Sequence, residues 1–369
     1  MAEAEQEIWR EPARGGYADV GFLGLDGLER MRVAAKGAMP APPIHHLSGI
    51  RPVDGGPGTA AYEMPASPWW QTSAGVFAPG VMAFLADAPL GAAISTALPA
   101  GKVLTTSDLA MNFLRPASVE SDRLVARAQL IQVGRSLGLS EVAVEDAQHR
   151  MLAHGTTRCF LFQPVTPVPE PPTELSPFTP PEYDTPDPYL RPAPGEVLPQ
   201  DVWDRMTGLE ILRGLMHGEL PRPPFSYFTG GRWVEAEEGR AAFAMPMTQW
   251  MASPAMRVYG GTIAMLADIG LVGAVQTTVP ARTAFSPLDL KIHFVRPVAA
   301  DGRDLVARGT VVHRGRTLAV ATAELLNEED KVVALATGSS LILPDRPWMP
   351  ERPVIAEEEA EGGEEAGAG

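Results

Sequence analysis

Two carboxylates stand at the same place in two similar apolar segments of the sequence. Asp87 ends FAPGVMAFLAD and Asp268 ends VYGGTIAMLAD, and the rest of each segment has the composition of a buried helix. A charge in such a helix is costly unless another group pairs with it or a reaction uses it. An aspartate there can act as a general base or a nucleophile. The structural alternative is that each carboxylate accepts a hydrogen bond from a neighbouring loop N–H.

These two segments are parts of a longer repeat. The aspartates are 268 − 87 = 181 residues apart, and DLAMNFLRP at Asp108 recurs as DLKIHFVRP at Asp289 with the same offset. The offset also relates LVARAQLIQVGRSL to LVARGTVVHRGRTL, PPIHHLSGIR to PPFSYFTGGR, and GLERMR to GLEILR. Chance does not hold one offset through five separate blocks. The sequence therefore predicts a tandem duplication.

Composition divides the chain around the two copies. The segment between them is rich in proline, which helix interiors and central strands do not accommodate, and indicates an extended linker. The last stretch, AEEEAEGGEEAGAG, has few groups that could pack. We predict an N-terminal extension at 1–21, a first copy at 22–163, a linker at 164–202, a second copy at 203–344 and an acidic disordered tail at 345–369.

The overall composition excludes several classes of protein. The 369 residues, 45% of them hydrophobic, suffice for two or three domains with cores. A net charge of -15 without a basic cluster argues against a nucleic-acid partner. The single cysteine, Cys159, cannot form an intrachain disulfide and is expected to be a packing residue. We expect a soluble, cytoplasmic protein, because neither a secretory signal nor a membrane span is evident.

Each copy shows the same pattern of elements. An amphipathic helix leads to a Pro-Pro pair and a first strand, and a second strand, a glycine-led apolar helix and further strands follow. A helix that is apolar all round, among about five antiparallel strands, needs a sheet that wraps around it. The pattern predicts an α+β unit in each copy.

The order of these motifs resembles that of a known family. A G-G-x(6)-D helix, a D-L-x-I-x-F-x-R-P strand and a GR strand look like the hotdog-fold thioesterases of the phenylacetate-pathway (PaaI) type. The resemblance implies two tandem hotdog domains that form a pseudo-dimer within one chain, a double hotdog. It also implies hydrolysis of an acyl-CoA or acyl-carrier thioester between the domains, without metal or redox cofactor. We further expect the chains to form a homo-oligomer.

Carried onto this chain, the resemblance implies two composite sites. In the first, Asp87 of copy one, assisted by Thr105 or Thr106, faces the oxyanion turn of copy two at Gly260 and Gly261. Tyr259 and Ser253 fall at or near this turn, where the family has a His and an Asn, and either could substitute for the Asn. We expect this site to be the active one.

The second composite site is expected to be weakened or silent. It pairs Asp268 and Ser286 with the copy-one turn at Pro79 and Gly80. Proline has no N–H to donate, and loss of one oxyanion donor costs about 3–4 kcal/mol of transition-state stabilisation. The polar residues nearest to the position of the family's Asn are Gln71 and Thr72.

Other readings of these residues stay open. The matched pairs Arg115 and Arg296, and Arg135 and Arg316, fit the anionic nucleotide end of coenzyme A, although such arginines are more often paired surface residues. Because neither copy keeps the family's complete set of catalytic residues, the chain could be a protein that binds acyl thioesters without hydrolysing them. A hydratase acting on an enoyl thioester would need a catalytic His, and no repeated His accompanies either aspartate.

Overall fold

The structure is a computed structural model that describes residues 7–173, 178–179 and 181–348. The elements of copy one are, in chain order, α1 (Gly27–Ala35), α2 (Pro43–Ser48), β1 (Arg51–Gly56), β2 (Thr59–Pro65), α3 (Gly80–Ser95), β3 (Leu104–Phe113), β4 (Arg123–Val133), β5 (Leu137–Asp146) and β6 (Met151–Leu161). The elements that follow are α4 (Gln200–Arg205), α5 (Gly208–His217), α6 (Pro224–Thr229), β7 (Arg232–Glu237), β8 (Arg240–Pro246), α7 (Gly260–Gln276), β9 (Thr283–Pro287), β10 (Asp289–Phe294), β11 (Asp304–Arg314), β12 (Leu318–Leu326) and β13 (Val332–Pro344).

A short helix follows each Pro-Pro pair, where the sequence analysis predicts a strand. That prediction is wrong because the second proline of each pair begins a helix, α2 or α6, at a position where the missing N–H is harmless. Gly49 and Gly230, with φ of 75° and 76°, end these helices in the left-handed conformation. The first strand of each copy then starts two residues later.

The two central helices, α3 and α7, are apolar on all sides and largely buried. α3 packs against β2, β4 and β5, and α7 packs against β8, β11 and β12. Each helix is therefore enclosed by the strands of its own copy, as the all-round apolar pattern predicts. The α+β class is confirmed.

The strands of both copies form one continuous antiparallel sheet. Its order is β1-β2-β4-β5-β6-β3-β10-β13-β12-β11-β8-β7, and β9 pairs with β13 beside this path. The copies join where β3 pairs with β10, which places Leu109 opposite Ile292 and Met111 opposite Leu290. The two units thus meet edge to edge within one chain, as a pseudo-dimer.

The central helices also cross each other closely at two glycines. A Cβ on Gly80 would lie 2.7 Å from the Cα of Met265, and a Cβ on Gly261 would lie 2.8 Å from the Cα of Phe84. Real Cβ atoms do not approach backbone so closely. Both glycines are therefore required for the close approach of one central helix to the other.

Segments outside the two repeats pack onto this framework. Ile8 of the N-terminal extension is buried, and the backbone carbonyl of Glu11 accepts a hydrogen bond from Trp250. In the predicted acidic tail, Trp348 packs against Trp203 with the rings tilted by 40° and their centroids 4.7 Å apart. The tail beyond residue 348 lies outside the described residues. No helix in the described part of the chain is long and apolar enough to cross a membrane.

Candidate active site

Asp87 lies where α3 of copy one meets the N-terminus of α7. Its Oδ2 accepts a hydrogen bond from the Gly261 N–H at 2.9 Å, and its Oδ1 accepts one from the Thr106 hydroxyl at 3.0 Å. The residue is 7% exposed. Burial raises the pKa of this carboxyl to about 6, against the lowering effect of the two hydrogen bonds. The carboxylate of one copy and the helix N-terminus of the other thus meet as the composite arrangement requires.

The turn before α7 is shaped by its tyrosine and its first glycine. The Tyr259 hydroxyl donates to the Phe84 carbonyl at 2.9 Å, and the two rings meet edge to face with centroids 5.2 Å apart. A Cβ on Gly260 would lie 2.8 Å from Oδ2 of Asp87. The tyrosine therefore ties the start of α7 to α3, and only glycine at position 260 leaves the carboxylate undisturbed.

Asp268 makes the corresponding contact in the second composite site. Its Oδ2 accepts a hydrogen bond from the Gly80 N–H at 2.8 Å, and the residue is only 1% exposed. Burial raises the pKa of this carboxyl to about 7, with the Gly80 hydrogen bond acting in the opposite direction. Each aspartate thus caps the central helix of the other copy, which is the structural role raised above. The donor is the second residue of the turn, so Pro79 does not remove this contact.

The two aspartates differ in their hydroxyl partner. Adding 181 to 106 gives Pro287, so the residue equivalent to Thr106 has no hydroxyl. Ser286 is the equivalent of Thr105; both are exposed, and within the described ranges neither is hydrogen-bonded to an aspartate. Because neighbouring side chains on a strand point to opposite faces, the inward position belongs to residue 106 and its counterpart. The expected pairing of Ser286 with Asp268 is not found.

The residues near the family's Asn position are engaged within their own loops. The Gln71 side chain donates to the Gly75 carbonyl at 3.2 Å, and the Thr72 hydroxyl donates to the Val76 carbonyl at 2.7 Å. The hydroxyl oxygen of Ser253 accepts a hydrogen bond from the N–H two residues further on, at 3.3 Å. The structure therefore places none of them in a hydrogen bond with either aspartate.

The matched arginines brace the ends of strands. Arg115 donates to the Met151 carbonyl at 2.7 Å, and its counterpart Arg296 donates to the Val332 carbonyl. Arg135 and Arg316 are exposed at the turns before β5 and β12. The first pair thus has a structural role in both copies, whereas the second pair projects from the surface.

Cys159, expected from the sequence to be a packing residue, is a neighbour of the first site. It pairs with Thr106 across β3 and β6 and is completely buried. Burial raises the pKa of its thiol to about 12, so it is not a thiolate nucleophile. In the described part of the chain, no cluster of three or more His, Cys, Asp or Glu could hold a metal ion.

A cavity of about 1580 Å³ lies beside the second composite site. Ala78 and Met82, from the start of α3, line it together with Ile269 and Val272 of α7. Ala78 is the counterpart of Tyr259 by the repeat offset, and its methyl group leaves room that the tyrosine ring fills in the other half. The two halves therefore differ in the size of this side chain as well as in polar groups.

The sequence model of the thioesterase superfamily matches the chain twice, at residues 74–153 and 257–334. Each match contains one central helix with its aspartate. Acyl-coenzyme A thioesterase PaaI of Escherichia coli (strain K12) is 32% identical to this chain over 107 residues, which are 29% of this chain and 74% of the relative. The chain belongs to the thioesterase superfamily.

Two solved structures are similar to this chain over most of its length. A TesB protein from Mycobacterium avium subspecies paratuberculosis superposes with a TM-score of 0.50 and 12% identity, over 86% of this chain and all of that one. Acyl-CoA thioesterase II TesB2 from Mycobacterium marinum gives a TM-score of 0.49 and 14% identity, over 84% of this chain and 99% of that one. At these identities the likeness concerns the fold alone. The predicted double hotdog is confirmed.

Proposed function

We propose that this chain hydrolyses acyl-CoA thioesters at the site that joins Asp87 of copy one to the N-terminus of α7. One observation carries the proposal: the Asp87 carboxylate is held between the Thr106 hydroxyl and the Gly261 N–H, beside Gly260. A carboxyl with a pKa of about 6 is ionised above that pH yet still basic enough to accept a proton. The relative named as an acyl-coenzyme A thioesterase supports the substrate class.

The residues divide the reaction between the two copies. Asp87 takes a proton from a water molecule whose oxygen attacks the thioester carbon, or it attacks that carbon itself and water then releases the acyl group. The carbonyl oxygen of the thioester becomes an oxyanion. It accepts a hydrogen bond from the Gly260 N–H, which lies at the positive end of the α7 dipole. The C–S bond breaks, the sulfur takes up a proton, and a carboxylic acid and a free thiol leave.

The second composite site is the weaker candidate for three reasons. Asp268 is less exposed than Asp87, at 1% against 7%, and it has the helix N–H as a partner but no hydroxyl. Pro79 stands where the proposal uses the N–H of Gly260, and a proline cannot donate.

Release of free thiol from a panel of acyl-CoAs tests the proposal. We expect Asp87→Asn to lower the rate of thiol release by about 10²-fold or more and Asp268→Asn to lower it much less. The two substitutions are matched, because each replaces a buried aspartate that caps the opposite helix. Equal losses, or the reverse order, would refute the assignment of the site. Binding of acyl-CoA without release of thiol would identify a non-catalytic binder, and hydration of an enoyl-CoA without release of thiol would identify a hydratase.

A further inference from the structure

The cavity beside Asp268 is too large and too apolar to be only the remnant of a second catalytic centre. Its volume of about 1580 Å³ exceeds the roughly 300–1,000 Å³ of an ordinary small-molecule pocket. Four of the chain's seven tryptophans line it, together with Ile269 and Val272 of α7. Such a wall offers extended apolar contact to a long, flexible ligand.

The wall of the cavity is positively charged although the chain as a whole carries -15. Five arginines and two carboxylates contribute to it, a balance of 5 − 2 = +3 without histidine. These charged residues are Arg10, Arg115, Arg222, Arg232, Arg346, Glu7 and Asp304. Arg10 and Arg222 are paired with Glu7, and Arg232 is paired with Asp304. Arginines favour carboxylate and phosphate groups, so the remaining positive charge selects for an anion attached to the apolar ligand.

The groups that would hydrolyse such a ligand are missing from this half. Asp268 is 1% exposed, Pro79 has no N–H to stabilise an oxyanion, and Pro287 replaces the hydroxyl that supports Asp87. The cavity therefore keeps the space of an acyl site while the adjacent carboxylate is sealed.

We propose that this cavity is a second, non-catalytic site that binds a long acyl chain with an anionic head group, either a fatty carboxylate or an acyl-CoA. Duplication frees one half of a composite enzyme for this role, because the other half retains the reactive groups. The proposal is independent of the proposed hydrolysis, since a fatty carboxylate has no thioester bond to break.

Equilibrium dialysis of the full chain with radiolabelled palmitate tests the proposal. The Asp87→Asn protein serves as the parent, so that the same measurement can be repeated with intact palmitoyl-CoA as competitor. We expect saturable binding of palmitate that the uncharged hexadecyl alcohol displaces poorly. Displacement by palmitoyl-CoA at lower concentrations than by unlabelled palmitate would assign the preferred head group to coenzyme A, and the reverse order would assign it to the carboxylate.

Filling the cavity separates this site from the catalytic one. Val272→Trp places an indole in the cavity and should raise the Kd for palmitate at least about tenfold. Val312→Trp makes the same change at a strand position that is 64% exposed, and it should leave the Kd for palmitate unchanged. No binding of palmitate, or equal binding by the two tryptophan variants, would overturn the proposal. The Asp87→Asn protein could still release thiol from palmitoyl-CoA. If adding Asp268→Asn then abolished that release, the cavity would belong to a catalytic site and the proposal would be overturned.

Discussion

Replacing Asp268 by asparagine should stabilise the protein, although it alters a buried hydrogen-bonded residue. Burial raises the pKa of this carboxyl from 3.8 to about 7. Between these pH values the folded chain holds a proton that the unfolded chain has released, so the free energy of unfolding falls as the pH rises. Compared with a side chain that stays neutral, Asp268 lowers the free energy of unfolding by about 3 kcal/mol at pH 6 and by about 4 kcal/mol at pH 8. Below pH 3.8 both states bind the proton and the loss vanishes.

Asparagine keeps the shape of the residue and a carbonyl oxygen that can accept the Gly80 N–H. We therefore expect Asp268→Asn to raise the free energy of unfolding, measured with guanidinium chloride, by about 3 kcal/mol at pH 6 and about 4 kcal/mol at pH 8. Asp184→Asn removes one charge at an exposed position and should change neither value. A gain that does not depend on pH, or a loss of stability at pH 8, would refute the reasoning. The second result would mean that the ionised carboxylate gains more from the helix N-terminus than its burial costs.

Two further substitutions address the first site. Thr106→Val removes the hydroxyl that lowers the pKa of Asp87, so the acid limb of the pH profile of kcat/KM should move to higher pH, and thiol release at pH 6.5 should fall about tenfold. Thr105→Val on the same strand is the control, and a profile that moves equally in both variants would contradict the assignment. Gly260→Ala places a Cβ 2.8 Å from Oδ2 of Asp87 and should lower turnover about 10²-fold at unchanged Tm. A fall in Tm that accounts for the lost activity would instead indicate a structural role.

The repeat offset was enough to predict the duplication, and the resemblance to the hotdog family implied the pairing of the two copies. A helix that is apolar all round requires a sheet around it, so the α+β unit of each copy follows from the pattern. The double hotdog was implied by the resemblance to the hotdog-fold thioesterases, and duplication supplies its second unit. The short helices after Pro-Pro were missed because six residues are too few to show helical periodicity. The signals that could have revealed them are the proline at the first helical position and the glycines at 49 and 230.

The partners of the two aspartates were harder to predict. The offset pairs Thr106 with Pro287 and Thr105 with Ser286, so the missing hydroxyl at the inward position can be read from the sequence. The direction of a side chain on a strand changes with every residue, and a displacement of one position reverses the conclusion. The bond from Tyr259 to the Phe84 carbonyl has no signal in the sequence, because its acceptor is a backbone atom of a distant helix.

The capping contacts explain why both aspartates can be present although the two sites differ. Each carboxylate accepts an N–H at the start of the opposite central helix, where the helix dipole favours a negative charge. Each contact also links one copy to the other across the crossing of α3 and α7, which a small residue at 80 and 261 makes possible. A carboxylate with this structural function can remain after the groups around it have changed. The presence of Asp268 is therefore no evidence of a second active centre. The proposal of activity at Asp87 rests on Thr106 and Gly260, whose counterparts in the other half are Pro287 and Pro79.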